Sequence, residues 1–178
     1  MMICVILPHN KGENSTRINH ESPRRSPDFI TRKVSLGAAA TKLNAATRAR
    51  NEEGQPILTP DGKLVLGNLS AQRDWGYARD YVRAMWLMLQ HHEPDDYVIA
   101  TGTLHSIEDL CATAYANVGL NWREYVTTDA RFLRPTEIAS MRGNAQKVRQ
   151  ALGWEPTIKF EQLIKEMVES DLELLRQR

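Results

Sequence analysis

The chain has 178 residues, 42% of them apolar and 25% charged, with a formal net charge of +1. That length suits one domain or most of one, and the apolar share suits an ordinary globular core. A charge so close to zero gives no electrostatic case for nucleic acid or an anionic membrane as partner, so any anion site must be local.

Residues 1–7 are apolar and end at Pro8 with no basic segment before them. The run is too short to span a membrane and poor as a signal peptide, but it suits a strand. Cys4 and Cys111 lie far apart with no CxxC, as expected of reduced thiols in a cytoplasmic protein. Residues 8–28 hold three prolines among Asn, Ser, Arg and Glu and read as a long loop, a length associated with function or disorder. A helix is predicted over 29–43, with an alanine-rich stretch at Ala38-Ala39-Ala40. Residues 44–62 are polar and punctuated by Gly54, Pro56, Pro60 and Asp61-Gly62, which predicts a mobile excursion. A short strand follows at 63–66.

The next helix, 78–92, has apolar groups at Tyr81, Val82, Met85, Trp86 and Leu89, a one-sided stripe. Residues 97–100 read as a buried strand closed by Thr101-Gly102. Ser106 caps a helix over 107–118, with Asp109 at the capping-box position. Asn144 caps a helix ending at Leu152, with Gly153 as its stop. The last helix starts near Phe160 and carries the stripe Phe160, Leu163, Ile164, Met167, Val168, Leu172 and Leu175. Helices with a few short strands between them predict an α/β or α+β half-domain.

Three polar segments interrupt these elements. The first is Asn19-His20-Glu21-Ser22-Pro23-Arg24-Arg25, where Pro23 blocks a helix and the loop is expected to present its side chains. Adjacent arginines suit an anion, because guanidinium forks match phosphate oxygens. The second is 73–80, with Arg73, Asp74, Trp75, Tyr77, Arg79 and Asp80. The third is 131–137, with Arg131, Phe132, Arg134, Pro135 and Glu137. Each segment alone reads better as a charged surface turn or helix cap, with Asp74 or Asp80 a cap or a partner of Arg79. Together they fit a nucleotide-type ligand, which needs cations for phosphates, flat or apolar walls for a base, and carboxylates or amides for its polar edges. His91-His92 and Glu52-Glu53 read as surface features, and no HExxH or paired Cys/His spacing predicts a metal site.

These residues, in this order, resemble GDP-mannose 4,6-dehydratases. The resemblance runs from 19–25 through Thr31-Arg32-Lys33-Val34, Leu66-Gly67-Asn68-Leu69 and 73–81. It continues through Asp95-Asp96-Tyr97-Val98-Ile99-Ala100-Thr101-Gly102, 132–137 and Leu152-Gly153-Trp154-Glu155-Pro156 to the closing helix. It covers 19–178, leaving 1–18 as an atypical N-terminal segment, and 44–62 looks longer than the family's usual connection. The family belongs to the extended short-chain dehydrogenases. The resemblance implies an NADP-dependent lyase: hydride leaves C4 of GDP-mannose, water is eliminated across C5 and C6, and hydride returns to C6. It implies NADP contacts at His20 and Arg25, a GDP site lined by Asn19 and Lys33, diphosphate contacts at Arg73 and Arg134, and Glu137 near the guanosine.

Two family features are missing from the sequence. A dinucleotide cradle needs clustered glycines, and the nearest pair here is Gly62 and Gly67. The superfamily's Tyr-x-x-x-Lys is also absent: four positions after Tyr77, Tyr81, Tyr97, Tyr115 and Tyr125 stand Tyr81, Met85, Thr101, Gly119 and Asp129. The fold expected is therefore the mostly helical C-terminal part of an extended short-chain dehydrogenase, without the N-terminal Rossmann phosphate-binding half. The chain is expected to be a truncated form that is inactive alone and carries no catalytic residue. The alternative is a non-catalytic GDP-sugar-binding module or half of a split enzyme. Expected partners are GDP-mannose or GDP, and either a second copy or a second chain supplying the Rossmann half. Apolar surface from helices 29–43 and 78–92 predicts self-association.

Overall fold

The computed structural model describes residues 2–5, 19–92, 95–132 and 140–177. In chain order the elements are β1 (Met2–Val5), β2 (His20–Glu21), α1 (Ile30–Lys42), β3 (Leu64–Leu66), β4 (Gln72–Arg73), β5 (Gly76–Tyr77) and α2 (Ala78–Gln90). There follow β6 (Asp96–Ile99), β7 (His105–Ser106), α3 (Ile107–Ala116), β8 (Val126–Thr128), β9 (Ser140–Met141), α4 (Gln146–Leu152) and α5 (Phe160–Gln177). The five helices and the short strands match the half-domain expected from the sequence. The residues fall into two compact units, each threaded by three separate stretches of chain.

The first unit comprises Met1–Glu21, Gln72–His105 and Ser140–Phe160. Here β1 runs antiparallel to β6, β2 parallel to β5, and β4 parallel to β9. The core joins Tyr81, Ala84 and Met88 of α2 to Tyr97 and Ile99 of β6, Val148 of α4, and Trp154. This corrects the predicted α2 stripe. Of its members, Val82, Trp86 and Leu89 are 62%, 59% and 63% exposed, while Asp80, Tyr81, Ala84 and Met88 face inward. The helix is rotated because Asp80 is held inside. Its carboxylate accepts from the Thr157 amide at 2.8 Å and hydroxyl at 2.6 Å, and its carbonyl accepts from the Trp154 indole at 2.8 Å. A hydrophobic count cannot see a carboxylate that is buried because its acceptors are filled. The α4 boundary is close to prediction: the cap position is Ala145, Asn144 Oδ1 accepts from the Gln146 amide, and Gly153 stops the helix in the left-handed region at φ 61°.

The second unit comprises Ser22–Ala71, Ser106–Ala139 and Glu161–Arg178. It is built on α1, which packs against α3. Nearly every residue of α1 from Thr31 to Ala40 is buried, so the exposed apolar surface expected of helix 29–43 shrinks to Phe29 at its start. Small side chains make this possible. A methyl group on Gly37 would lie 3.2 Å from Leu64 Cδ2, so the helix rides directly on β3. That strand pairs in parallel with β8, Leu64 opposite Val126 and Leu66 opposite Thr128. The Ser106–Asp109 capping box forms as predicted at the start of α3. Burial pushes the Cys111 thiol of α3 up to about 12, with Glu108 adding to it, so it stays protonated at neutral pH. The stretch 44–62 is more firmly built than its composition suggests. Ala45, Ala49, Ile57 and Leu58 are buried, and bridges join Arg50 to Pro56 and Leu58 to Leu64.

Candidate functional site

In the second unit the opening loop is a stack of tight turns. The Ser22 carbonyl accepts from the Arg25 amide at 2.9 Å, and the Ser26 carbonyl accepts from Phe29 at 3.1 Å. Arg32, on the first turn of α1, fixes this loop from below. Its guanidinium donates to the Arg25 carbonyl at 3.0 Å and also to that of Pro23. The remaining face of Arg32 meets Asp171 of α5 at 2.6–2.7 Å, and Ser35 donates to the other Asp171 oxygen at 2.6 Å. Burial pushes the Asp171 carboxyl up, while Arg32 and Ser35 pull it back down. Neither residue stood out in the sequence. The available signal was Asp171 occupying an inward position of the α5 stripe, between Val168 and Leu175.

The next residue of α1 is Lys33. Its ammonium donates to the Val65 carbonyl at 3.0 Å and sits 5.3 Å from the centre of the Phe132 ring. Burial lowers its pKa from the ordinary lysine value. Around it opens a cleft of about 540 Å³. Pro27, Asp28, Lys33, Arg131 and Phe132 line it together with the apolar side chains of Ile57, Leu58 and Val65. Asn51, Pro56, Thr59 and Pro60 also line it, so the polar excursion predicted to be mobile contributes a wall of the site.

The Phe132 ring is 52% exposed, yet its backbone is tightly seated. A short 3-10 turn at Ala130–Phe132 is tied to β3 through the Asp129 amide, which donates to the Leu66 carbonyl at 2.9 Å. A methyl group on Gly67 would lie 2.4 Å from the Phe132 carbonyl oxygen. Only glycine allows that approach. Arg131 pairs with Asp129 at 2.6 Å and holds that carboxyl below its usual range. One ammonium, the Arg131–Asp129 ion pair, the Asp28 carboxylate and an open aromatic face in one cleft suit a flat, polar-edged ring attached to an anion.

The other predicted residues fall out as follows. Arg25, in the second unit, stacks its guanidinium 3.4 Å above the Phe29 ring. Asn19, His20 and Arg73 belong to the first unit. The Asn19 carbonyl accepts from the Gly76 amide at 3.2 Å, and His20 pairs with Gly76 in the β2–β5 ladder. Arg73 lies opposite Met141 and donates to the Gln72 carbonyl at 2.7 Å. Arg134 and Glu137 lie outside the described residues.

Glu21 departs from expectation. It is 2% exposed, so the first segment does not present all its side chains. The second segment is likewise structural at its centre. Asp74 accepts from the Thr101 amide and hydroxyl, the Gly102 amide and the Gly143 amide, at 2.6–3.3 Å. Trp75 stacks on Phe160. Burial, with Asp74, Glu21 and Asp80 adding to it, pushes the Tyr81 phenol well above its ordinary value. The first unit also has a cleft of about 650 Å³ bearing Arg142 and Arg149, whose guanidiniums donate to the Gly102 and Thr101 carbonyls. No group of three or more potential metal ligands occurs among the described residues. No helix among them is long and apolar enough to cross a membrane.

In fold, this chain resembles solved structures of longer proteins. It superposes with a TM-score of 0.72 on RMD from Pseudomonas aeruginosa complexed with NADPH, at 19% identity, over 88% of this chain and 46% of that one. In sequence it is 45% identical over 163 residues to GDP-mannose 4,6 dehydratase 2 of Arabidopsis thaliana, covering 92% of this chain and 40% of the relative. It is 39% identical over 183 residues to the Homo sapiens GDP-mannose 4,6 dehydratase, covering 92% and 44%. The chain thus spans less than half the length of these relatives. The profile of the GDP-mannose 4,6 dehydratase family matches residues 12–167, and the chain belongs to that family.

Proposed function

We propose that this chain carries the nucleotide-binding part of a GDP-mannose 4,6-dehydratase and binds the GDP end of GDP-mannose without completing the dehydration. The observation behind this reading is the cleft around Lys33, which offers an ammonium and an open ring in the chain of a family named for a GDP-sugar. Lys33 is the ligand-facing cation, and Asn19, Arg73, Arg134 and Glu137 are the further substrate positions proposed by resemblance. Titration calorimetry with GDP tests it. Saturable heat is expected, and its absence overturns the proposal.

NADP is a weaker fit to the residues described. His20 and Arg25 are the proposed contacts, and Arg25 is suited to a phosphate. A pyrophosphate cradle, however, needs glycines whose missing side chains leave backbone open to the ligand. At Gly37, Gly67, Gly76 and Gly143 that space is taken by Leu64, Phe132, Tyr81 and Ala100 of the chain itself, and the open glycines, Gly54, Gly62, Gly119 and Gly153, are not clustered in sequence. With no Tyr-x-x-x-Lys in the sequence there is also no proton relay for oxidation at C4. No reaction step is therefore assigned to these residues. Chain mixed with GDP-mannose and NADP is expected to give no 4-keto product.

A further inference from the structure

The first unit holds a cleft that the proposed function does not use. Its volume is about 650 Å³, and its polar side chains are Arg142, Asn144, Gln146, Arg149 and Gln150. Its other lining residues are glycine and alanine, so no carboxylate lines it. Arg142 is exposed, and its Nε donates to the Gly102 carbonyl at 2.7 Å. That bond pins one edge of the guanidinium. The two terminal nitrogens, the fork that matches a pair of phosphate oxygens, meet no acceptor among the described residues. Arg149 donates from Nη2 to the Thr101 carbonyl at 3.2 Å and pairs through Nε with Glu155 at 3.1 Å. Lys147 is spent on Asp95. The charge left over at the cleft is therefore that of Arg142. We propose that this cleft is a second ligand site and takes a phosphorylated sugar, the Arg142 fork holding the phosphate and the amides of Asn144, Gln146 and Gln150 meeting the hydroxyls.

The chemistry of the lining selects that class. A guanidinium pinned by one edge loses little freedom when its other edge takes an oxyanion. A bare phosphate would fill only a small part of the volume, so the ligand carries a further body. That body is not a base or an acyl chain, because no aromatic or large aliphatic side chain lines the cleft. Asn144 spends its oxygen on the Gln146 amide at 3.0 Å and keeps its amino donors. The side chains of Gln146 and Gln150 are exposed and make no hydrogen bond among the described residues. Each of these amides offers donors, and those of Gln146 and Gln150 also offer acceptors, which is what hydroxyl groups need.

Calorimetric titration of the whole chain with glucose 6-phosphate, inorganic phosphate and glucose tests this. Glucose 6-phosphate is expected to give saturable heat and to bind about 10-fold more tightly than inorganic phosphate or glucose. Arg142→Gln is expected to weaken it about 10-fold and to leave the GDP titration unchanged. Gln150→Ala is expected to weaken it about 3-fold. Both positions lie outside the core, so the thermal midpoint should hold. If Arg142→Gln lowers that midpoint, Gln150→Ala carries the test alone. Lys33→Gln should do the reverse of Arg142→Gln, weakening GDP and sparing glucose 6-phosphate. The inference fails if glucose 6-phosphate gives no saturable heat, or if inorganic phosphate binds as tightly. It also fails if Lys33→Gln removes the glucose 6-phosphate heat and Arg142→Gln does not, since the sugar phosphate then occupies the Lys33 cleft. GDP is titrated separately, so none of these outcomes bears on the GDP reading.

Discussion

Residues 73–80 in the first unit and the Lys33 cleft in the second draw on similar residues, with opposite outcomes. Each combines basic side chains, an aromatic ring and an aspartate beside a backbone-shaping Gly or Pro. At 73–80 the acceptors are filled from within. Asp74 takes four protein donors and Asp80 takes the Thr157 amide and hydroxyl, so the aspartates are scaffolding. In the cleft the ring of Phe132 and the carboxylate of Asp28 stay exposed, while Lys33 spends one of three donors on Val65. What separates a structural polar motif from a binding one is therefore the state of its hydrogen bonds rather than its composition.

The strongest way to break this comparison is Asp74→Ala. It leaves three backbone amides without their acceptor, that of Gly143 buried and those of Thr101 and Gly102 partly buried. A loss of about 3–5 kcal/mol in denaturant unfolding is expected. A loss under about 1 kcal/mol would mean that the aspartate is not scaffolding.

Lys33 sharpens the other side of the comparison. Burial lowers its pKa below 10.5, so the folded chain releases this proton at a lower pH than the unfolded chain does. Between the two values the unfolded state binds more protons, and the group's contribution to stability rises with pH. Nucleotide affinity has the opposite sign. It needs the ammonium and falls as pH climbs through the folded value, short of 10.5. Lys33→Gln is expected to weaken GDP about 10-fold at neutral pH, and Lys33→Arg to lessen the alkaline decline to the part set by ionisation of the guanine N1–H, since arginine does not titrate there. Affinity that stays flat with pH in wild type would detach Lys33 from the ligand.

Much of the second unit was legible in the sequence because local rules and packing agree there. The Ser106–Asp109 box, the apolar α5 stripe and the α1 span all follow from spacing. Lys33 was identified through a resemblance carried by its neighbours. The Arg32–Asp171 pair was not legible, because its members are 139 residues apart and each looks like an ordinary surface charge. Nor was the wall at 51–60. Its punctuation predicts turns, but whether turns are held depends on Ala49, Ile57 and Leu58 finding a core, which composition does not reveal.

The same blindness set the α2 stripe one residue off, and it leaves the smallest effect to test. Val82, Trp86 and Leu89 recur at helical spacing on the exposed side of α2, a run of large apolar groups on a surface. Self-association was expected from helices 29–43 and 78–92 together. With α1 buried apart from Phe29 at its start, the expectation now rests on this face. Because Trp86 is 59% exposed, Trp86→Glu is expected to change stability by no more than about 0.5 kcal/mol. It should also shift sedimentation-velocity profiles toward monomer at high concentration. Ala84→Glu, on the buried side of the same helix, should instead unfold the first unit. Equal effects from the two substitutions would mean that the orientation of α2 differs from the one described. Unchanged association in Trp86→Glu would locate the contact elsewhere on the surface.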